Sequence, residues 1–354
     1  MKFKVTISMT LVVALMAALL GAAKDDGFGP YKPTPLKLSI PKGWPKPNSD
    51  IFAKNKLTEE GFELGRKLFY DGNLSKDGAT SCGSCHQQFA AFSTYDHDLS
   101  HGINNTFTDR NAPSLVNLAW MTSYHWDGGI NHIEVQPLSP ITAHNEMGET
   151  LENIIAKLNA DSSYSRYFKA AFGDKAITSQ RILKALAQFT GSLISSNSRY
   201  DQWKNGTLKF TPVEESGYAL YKANCSSCHR EPLFTDNSFH NNGLPLNRFG
   251  DAGRQRITGL SSDSLKFKVP SLRNVQYSVP YMHDGRFNDL DKVITHYTSG
   301  INYLQPTLDS ILQKPIVFTE RQKLELIYFL YTLTDTSFTK NKRFAPAQPI
   351  TIKH

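Results

Sequence analysis

Cysteine is scarce in this 354-residue chain, which holds only four, and no apolar run is long enough to cross a bilayer. The one sustained apolar stretch, Leu11 to Leu20, falls short of the about 20 residues a spanning helix needs. Lys2 and Lys4 precede it and Gly21, Ala22 and Ala23 follow it, the pattern of a Sec-type signal peptide over residues 1–23 with cleavage near Ala23. That predicts export to the periplasm and no membrane span afterwards; no cysteine lies nearby to take a lipid. Nor is there a compositional bias: 40% hydrophobic and 20% charged residues exclude a disordered or fibrous chain, and the length suffices for two compact domains.

In an exported protein four cysteines ordinarily read as two disulfides. Here their placement argues otherwise. They form Cys82-Gly83-Ser84-Cys85-His86 and Cys225-Ser226-Ser227-Cys228-His229, so every cysteine belongs to a Cys-x-x-Cys-His element. Two thiols about one helical turn apart can form thioethers with the vinyl groups of a haem edge, while the histidine that follows ligates the iron. A redox dithiol or a zinc site is the competing reading, but zinc gives no reason for a histidine directly after the second cysteine in both copies. Two covalent haems c are therefore expected. Loss of Lys2 and Lys4 with the leader lowers the formal charge of +7 by two, to +5. About four haem propionates would offset most of that, so the basic balance gives no support for nucleic-acid binding.

Each element follows a helix signal of related wording. Thr58-Glu59-Glu60-Gly61-Phe62-Glu63-Leu64-Gly65 precedes the first and Thr211-Pro212-Val213-Glu214-Glu215-Ser216-Gly217-Tyr218 the second, each with a threonine cap and acidic first turn, and Pro212 at the first helical position. The glycines would let each helix approach another closely. A divergent duplication of one small unit follows, mainly α-helical, divided near Asn205-Gly206 into domains over 51–205 and 206–354. Between the clamps, Leu151, Ile154, Ile155 and Leu158, then Ile182, Leu183, Leu186, Phe189 and Leu193, recur at helical spacing as core faces. Residues 24–50, with the Pro- and Lys-rich stretch Pro30 to Pro47, read as an extended lead-in.

The stretch between the clamps is more specific. Arg110-Asn111-Ala112-Pro113-Ser114-Leu115 is followed by Trp126-Asp127-Gly128, then Gln136 and Glu146. With the two clamps, this ordered set resembles the bacterial dihaem cytochrome c peroxidase family, which includes the MauG-like proteins, from about Leu57 to Tyr297. The resemblance implies two class I cytochrome c-like domains facing each other, with a carboxy-terminal helix around Leu324 to Leu330 packing across them. It makes the haem on Cys82 and Cys85, with His86 as proximal ligand, the peroxidatic centre. The haem on Cys225, Cys228 and His229 would accept and store electrons. Trp126 matches a tryptophan between the haems, where an indole can pass electrons; as a plain residue it also reads as a large core aromatic. Glu146 matches the distal acid that moves a proton between the two oxygens of peroxide, and Gln136 a neutral group that orients peroxide. Glu149 is a nearby competitor for the acid, belonging to the next helix's first turn.

The resemblance also implies a loop histidine able to occupy the distal face of the first haem, at His101 with His97 as rival. It implies a calcium ion held by the Asn111 side chain and the carbonyls of Ser278 and Pro280. One departure stands out. Where the family's peroxidases place a methionine on the second haem, this sequence has Tyr297, as in the MauG-like branch. Leu290, Val293, Ile294 and Tyr297 share one helical face, so Tyr297 points inward and His296 elsewhere, with Met282 or His283 as rival ligands. The resemblance implies hydrogen-peroxide reduction with a c-type cytochrome or cupredoxin as donor, in a protein often dimeric. The alternatives are a MauG-like oxidase acting on a partner protein and a non-enzymatic dihaem electron carrier.

Overall fold

The computed structural model describes residues 31–48 and 51–346, so the expected leader over residues 1–23 lies outside the described residues. Among those described, no helix is long and apolar enough to cross a membrane. The fold is mainly helical, with one two-stranded antiparallel sheet of Phe239–His240 against Phe267–Lys268.

The helices that the argument needs are, in chain order, α1 (Glu59–Phe69), α2 (Cys82–Cys85), α3 (Leu151–Ala160), α4 (Ser162–Phe172), α5 (Ser179–Gly191), α6 (Arg199–Lys204), α7 (Pro212–Asn224), α8 (Leu290–Thr295) and α9 (Glu320–Tyr331). Both predicted helix starts are present. Thr58 caps α1 by accepting from Gly61 N, and Thr211 and Glu214 form a reciprocal capping box on α7 behind Pro212. In α3 the buried residues are Ile154 and Leu158; in α5 they include Ile182, Leu186 and Phe189, while Leu193 is buried just beyond the helix end.

Two apolar cores result. The first gathers Phe62, Leu68 and Phe69 of α1 with Ile182, Leu186 and Phe189 of α5 and Tyr164 and Phe168 of α4. The second gathers Tyr221 of α7, Ile294 of α8 and Leu326, Phe329 and Leu330 of α9, with Tyr200 and Trp203 of α6 already packed into it. The two are built alike, each around a crossing that only glycine permits. A Cβ on Gly65 would meet the Ala185 carbonyl oxygen at 1.9 Å, and one on Gly217 the Glu325 carbonyl oxygen at 2.0 Å. The second clamp therefore continues directly from a helix pinned against another by backbone contact, and the first follows its pinned helix after residues 70–81.

One expectation needs correcting. The carboxy-terminal helix does not pack across both halves, because the Gly217 crossing commits α9 to α7 and the second core. It is the chain after α9 that returns: Phe338 and Phe344 insert into the first core, and the Phe344 carbonyl accepts from Tyr70 Oη at 2.8 Å. Of the lead-in, residues 31–48 are described; they turn at Pro41–Trp44 and are tied to the body by Leu36 N to Leu57 O at 3.0 Å and Trp120 Nε1 to Pro45 O at 2.8 Å.

Gly65→Ala and Gly217→Ala should each destabilise the fold by about 1–3 kcal/mol, since a methyl group must push a helix off a carbonyl. Thermal unfolding read by circular dichroism checks this; an unchanged midpoint would show that the crossings open at no cost.

Candidate haem sites and the ground between them

At the first clamp the chain forms the single-turn helix α2, with His86 N donating to Cys82 O at 2.9 Å. At the second, α7 ends at Cys225 and the turn continues until His229 N donates to Cys225 O at 3.0 Å. Helical geometry thus places both thiols and the histidine of each element on one short turn. All four cysteines are free thiols, which removes the disulfide reading. Burial pushes Cys82 to about 12, Cys85 to about 11 and Cys225 to about 12, the reverse of the acidified thiol of a redox dithiol. Among the described residues no three His, Cys, Asp or Glu side chains converge as a metal-holding group, so the zinc reading has no donor set either.

The two histidines are held alike. His86 Nδ1 lies 2.9 Å from Phe92 O; His229 Nδ1 lies 3.2 Å from Phe234 O and 3.1 Å from Pro270 O. A carbonyl can only accept, so Nδ1 carries the proton and Nε2 keeps its lone pair, the tautomer that an iron ligand requires. Burial pushes His86 down to about 4 and lowers His229 too, so neither is an imidazolium at neutral pH. Paired thiols and an oriented neutral imidazole, in both copies, fit a c-type haem.

Beside the first clamp stands Glu146. Its charge is felt by both Cys82 and Cys85. Burial first, and the nearby Asp109 second, raise its carboxyl above the usual range. The loop 101–107 fixes its backbone: Ile103 N donates to Glu146 O at 2.8 Å, and a Cβ on Gly102 would meet the Asn145 carbonyl oxygen at 2.1 Å. Glu149 is eliminated as the acid. Its oxygens accept from Lys157 Nζ at 2.5 Å, Asn153 Nδ2 at 2.9 Å and Thr150 N at 3.0 Å, an arrangement that ties it to α3. Gln136 sits half-buried two residues before the helix Leu138–Thr142, its backbone N donating to His132 O at 3.2 Å. The His101 ring is exposed and packs on His97 and Phe107, while its carbonyl oxygen lies 3.9 Å from Cys85 Sγ.

Beside the second clamp stands Tyr297, whose hydroxyl feels Cys225 and Cys228 and is raised chiefly by burial. The expected helix carries it only partly, since α8 gives way at His296 to a wider π turn over His296–Gly300, a distortion common at functional sites. His296 does not turn to solvent as an ordinary helix would have it; it is buried, its Nε2 donating to Asn242 O at 2.9 Å. Asn242 Nδ2 reaches both Tyr297 Oη, at 3.4 Å, and Met282 Sδ, at 3.8 Å, so the tyrosine and its methionine rival share one neighbourhood. His283 does not compete, being stacked on Phe267 at 3.7 Å. No motif marks His240, which pairs with Asp309 and is raised to about 9, first by donating toward the Cys228 sulfur and then by the Asp309 carboxylate.

Between the two halves lies a dense polar seam around Trp126. The indole Nε1 donates to Asn111 O at 2.8 Å, and Trp126 O accepts from Lys268 N at 2.7 Å. Arg110 grips Asp251 of the second half with Nε at 2.6 Å and Nη2 at 2.8 Å, and Asp127 of the first with Nη1 at 2.6 Å. Of the expected calcium residues, Asn111 donates Nδ2 to Asp98 O at 3.0 Å and its N to His283 O at 2.8 Å; Ser278 and Pro280 follow in the turn after Asn274.

Comparison with known proteins agrees with this geometry. The profile of the family described as di-haem cytochrome c peroxidase matches residues 59–209. The methylamine utilization protein MauG of Methylorubrum extorquens is 36% identical over 285 residues, covering 79% of each chain. The cytochrome c551 peroxidase of Nitrosomonas europaea is 32% identical over 296 residues, covering 81% of this chain and 84% of that one. Among solved structures, a MauG-like protein associated with microbial copper homeostasis superposes with a TM-score of 0.81 at 33% identity, covering 88% of this chain and 99% of that one.

Replacing Arg110 by Met would strand Asp251 and Asp127 in the seam, at a cost of about 3–5 kcal/mol. Because Asp251 is held below its ordinary range despite burial, mainly by Arg110, that stability is present above the unfolded carboxylate pKa and fades as pH falls below it. Urea unfolding of both proteins at neutral and acid pH checks this: the difference should shrink toward low pH.

Proposed function

The chain belongs to the di-haem cytochrome c peroxidase family, and from that footing we propose that it is an exported enzyme with one covalent haem c in each half. It would reduce hydrogen peroxide to water with electrons from a c-type cytochrome or cupredoxin. The observation that carries this reading is Glu146, a half-buried carboxyl group beside the first clamp that burial and Asp109 raise above the usual range, and that no side chain of the described residues holds by a hydrogen bond or ion pair.

Cys82 and Cys85 would anchor the first haem with His86 Nε2 on its iron, and Cys225, Cys228 and His229 the second. Such a group supplies an iron position that receives peroxide and a store of redox equivalents. The work of the chain is proton handling. Glu146 takes the proton from one peroxide oxygen and returns it to the other, and its raised pKa suits both duties near neutral pH. Gln136 orients the peroxide as neutral donor and acceptor. Trp126, anchored by its N–H and its carbonyl, bridges the two sites for electrons. Two electrons and two protons enter each turnover and two waters leave. The Asn111 side-chain oxygen, with the Ser278 and Pro280 carbonyls, is suited to calcium, and His101 to a movable distal ligand carried by its loop.

Tyr297 favours a second reading. A phenol oxygen next to the second clamp suits ferric and higher-valent iron rather than collection of electrons from a high-potential donor. This supports a MauG-like oxidase that acts on a partner protein.

Glu146→Gln should retain both haems and lose about 10²–10⁴-fold in peroxide turnover with reduced cytochrome c. In the parent, kcat/KM should rise with pH through the Glu146 pKa, above the ordinary carboxylate range, because the base must be unprotonated to accept. A full rate in the variant removes the proton-relay role. Tyr297→Phe should alter the visible and paramagnetic resonance signals of the second haem alone; unchanged signals take Tyr297 out of its coordination sphere and disfavour the oxidase reading.

A further inference from the structure

The seam beside Trp126 contains more hydrogen-bonding capacity than the protein uses. His125 Nε2 and Ser123 Oγ are both shut off from solvent, and neither has a hydrogen-bond partner. Groups of that kind destabilise a fold when left unsatisfied. His125 also takes a left-handed backbone, with φ of 66°, which is uncommon outside glycine. Lys268 straddles the same four residues: its backbone N donates to Trp126 O at 2.7 Å and its Nζ to Ser123 O. It is 6% exposed, and among the described residues its ammonium has no carboxylate within ion-pair distance. Asp127 is near enough to be felt, yet its oxygens are already spent on Arg110 at 2.6 Å and Gly129 N at 2.9 Å. Burial pushes Lys268 down to about 7, the behaviour of a cation lacking a full counter-charge.

The ground is therefore short of one anion. His86 feels the charge of His125, and the His125 ring lies against the Gln136 backbone, so the shortage is located at the edge of the first haem site. We infer that Lys268 Nζ and His125 Nε2 receive a carboxylate of the first haem, a propionate, with Ser123 Oγ as a further donor. The assignment rests on the haem reading above. Lys268 and His125 are then positioning residues: they fix the rotation of the ring beside Trp126, and Lys268 places a positive charge where it raises the first haem's reduction potential.

The test uses the holoprotein with Lys268→Met, Lys268→Arg and His125→Phe variants. Resonance Raman spectra report the propionate bending band, and spectroelectrochemistry reports the midpoint of each haem. Lys268→Met should shift the band and move the first haem's midpoint to more negative potential, because removing a cation favours the ferric state; Lys268→Arg should keep the midpoint near the parent value. His125→Phe should shift the band as well, and it decides alone if Lys268→Met does not accumulate in folded form. Variants carrying two haems whose band and midpoint match the parent overturn the inference and leave the haem reading intact. A shift confined to the second haem contradicts the assignment to the first. Parent protein without thioether-linked haem overturns both.

Discussion

A hydrogen bond from a histidine Nδ1 to a backbone carbonyl, made once at His86 and again at His229, is the constraint on which the rest depends. It selects one tautomer, holds the ring in a single plane and leaves Nε2 as the only basic atom that can face a metal. Without it, a histidine after two buried thiols is merely a neighbour. With it, the five residues of each clamp become a preorganised seat whose orientation is inherited from the helix that leads into it.

That inheritance explains why the two halves are built the same way. α1 and α7 each lie against a second helix at a glycine, so the helix before each clamp is placed by backbone contact rather than by adjustable side chains. The seam between the halves has the opposite character, being polar, buried and charged. Arg110 binds one carboxylate from each half, Trp126 is tied at both ends, and Lys268 spans the residues around it. The Arg110 and Trp126 bonds across it keep the distance between the two sites fixed, which electron transfer across Trp126 would require.

Much of this was legible in the sequence for local reasons. The clamps are contiguous, the caps at Thr58 and Thr211 act within one turn, and the apolar periodicity of α3 and α5 is a property of each helix alone. What escaped notice depends on distant pairing. The return of Phe338 and Phe344 to the first core follows from where α9 can and cannot pack. The π turn at His296 breaks the heptad-like spacing that aimed Tyr297 inward, yet Tyr297 still meets the second clamp because the wider turn keeps it on that side. Asn242, His240 and Lys268 carry no motif, since their neighbours come from segments tens of residues away. His125 could have drawn attention, because it stands directly before the tryptophan, but only the fold reveals that its Nε2 is unpartnered.

The central claim is that both paired-thiol turns are covalent haem seats. The most direct test is the intact mass of the mature protein together with its pyridine haemochrome spectrum. The account predicts two haems per chain, both retained after acid–organic extraction and both lost when each cysteine pair is replaced by alanine. Extractable haem, or one haem per chain, would contradict it.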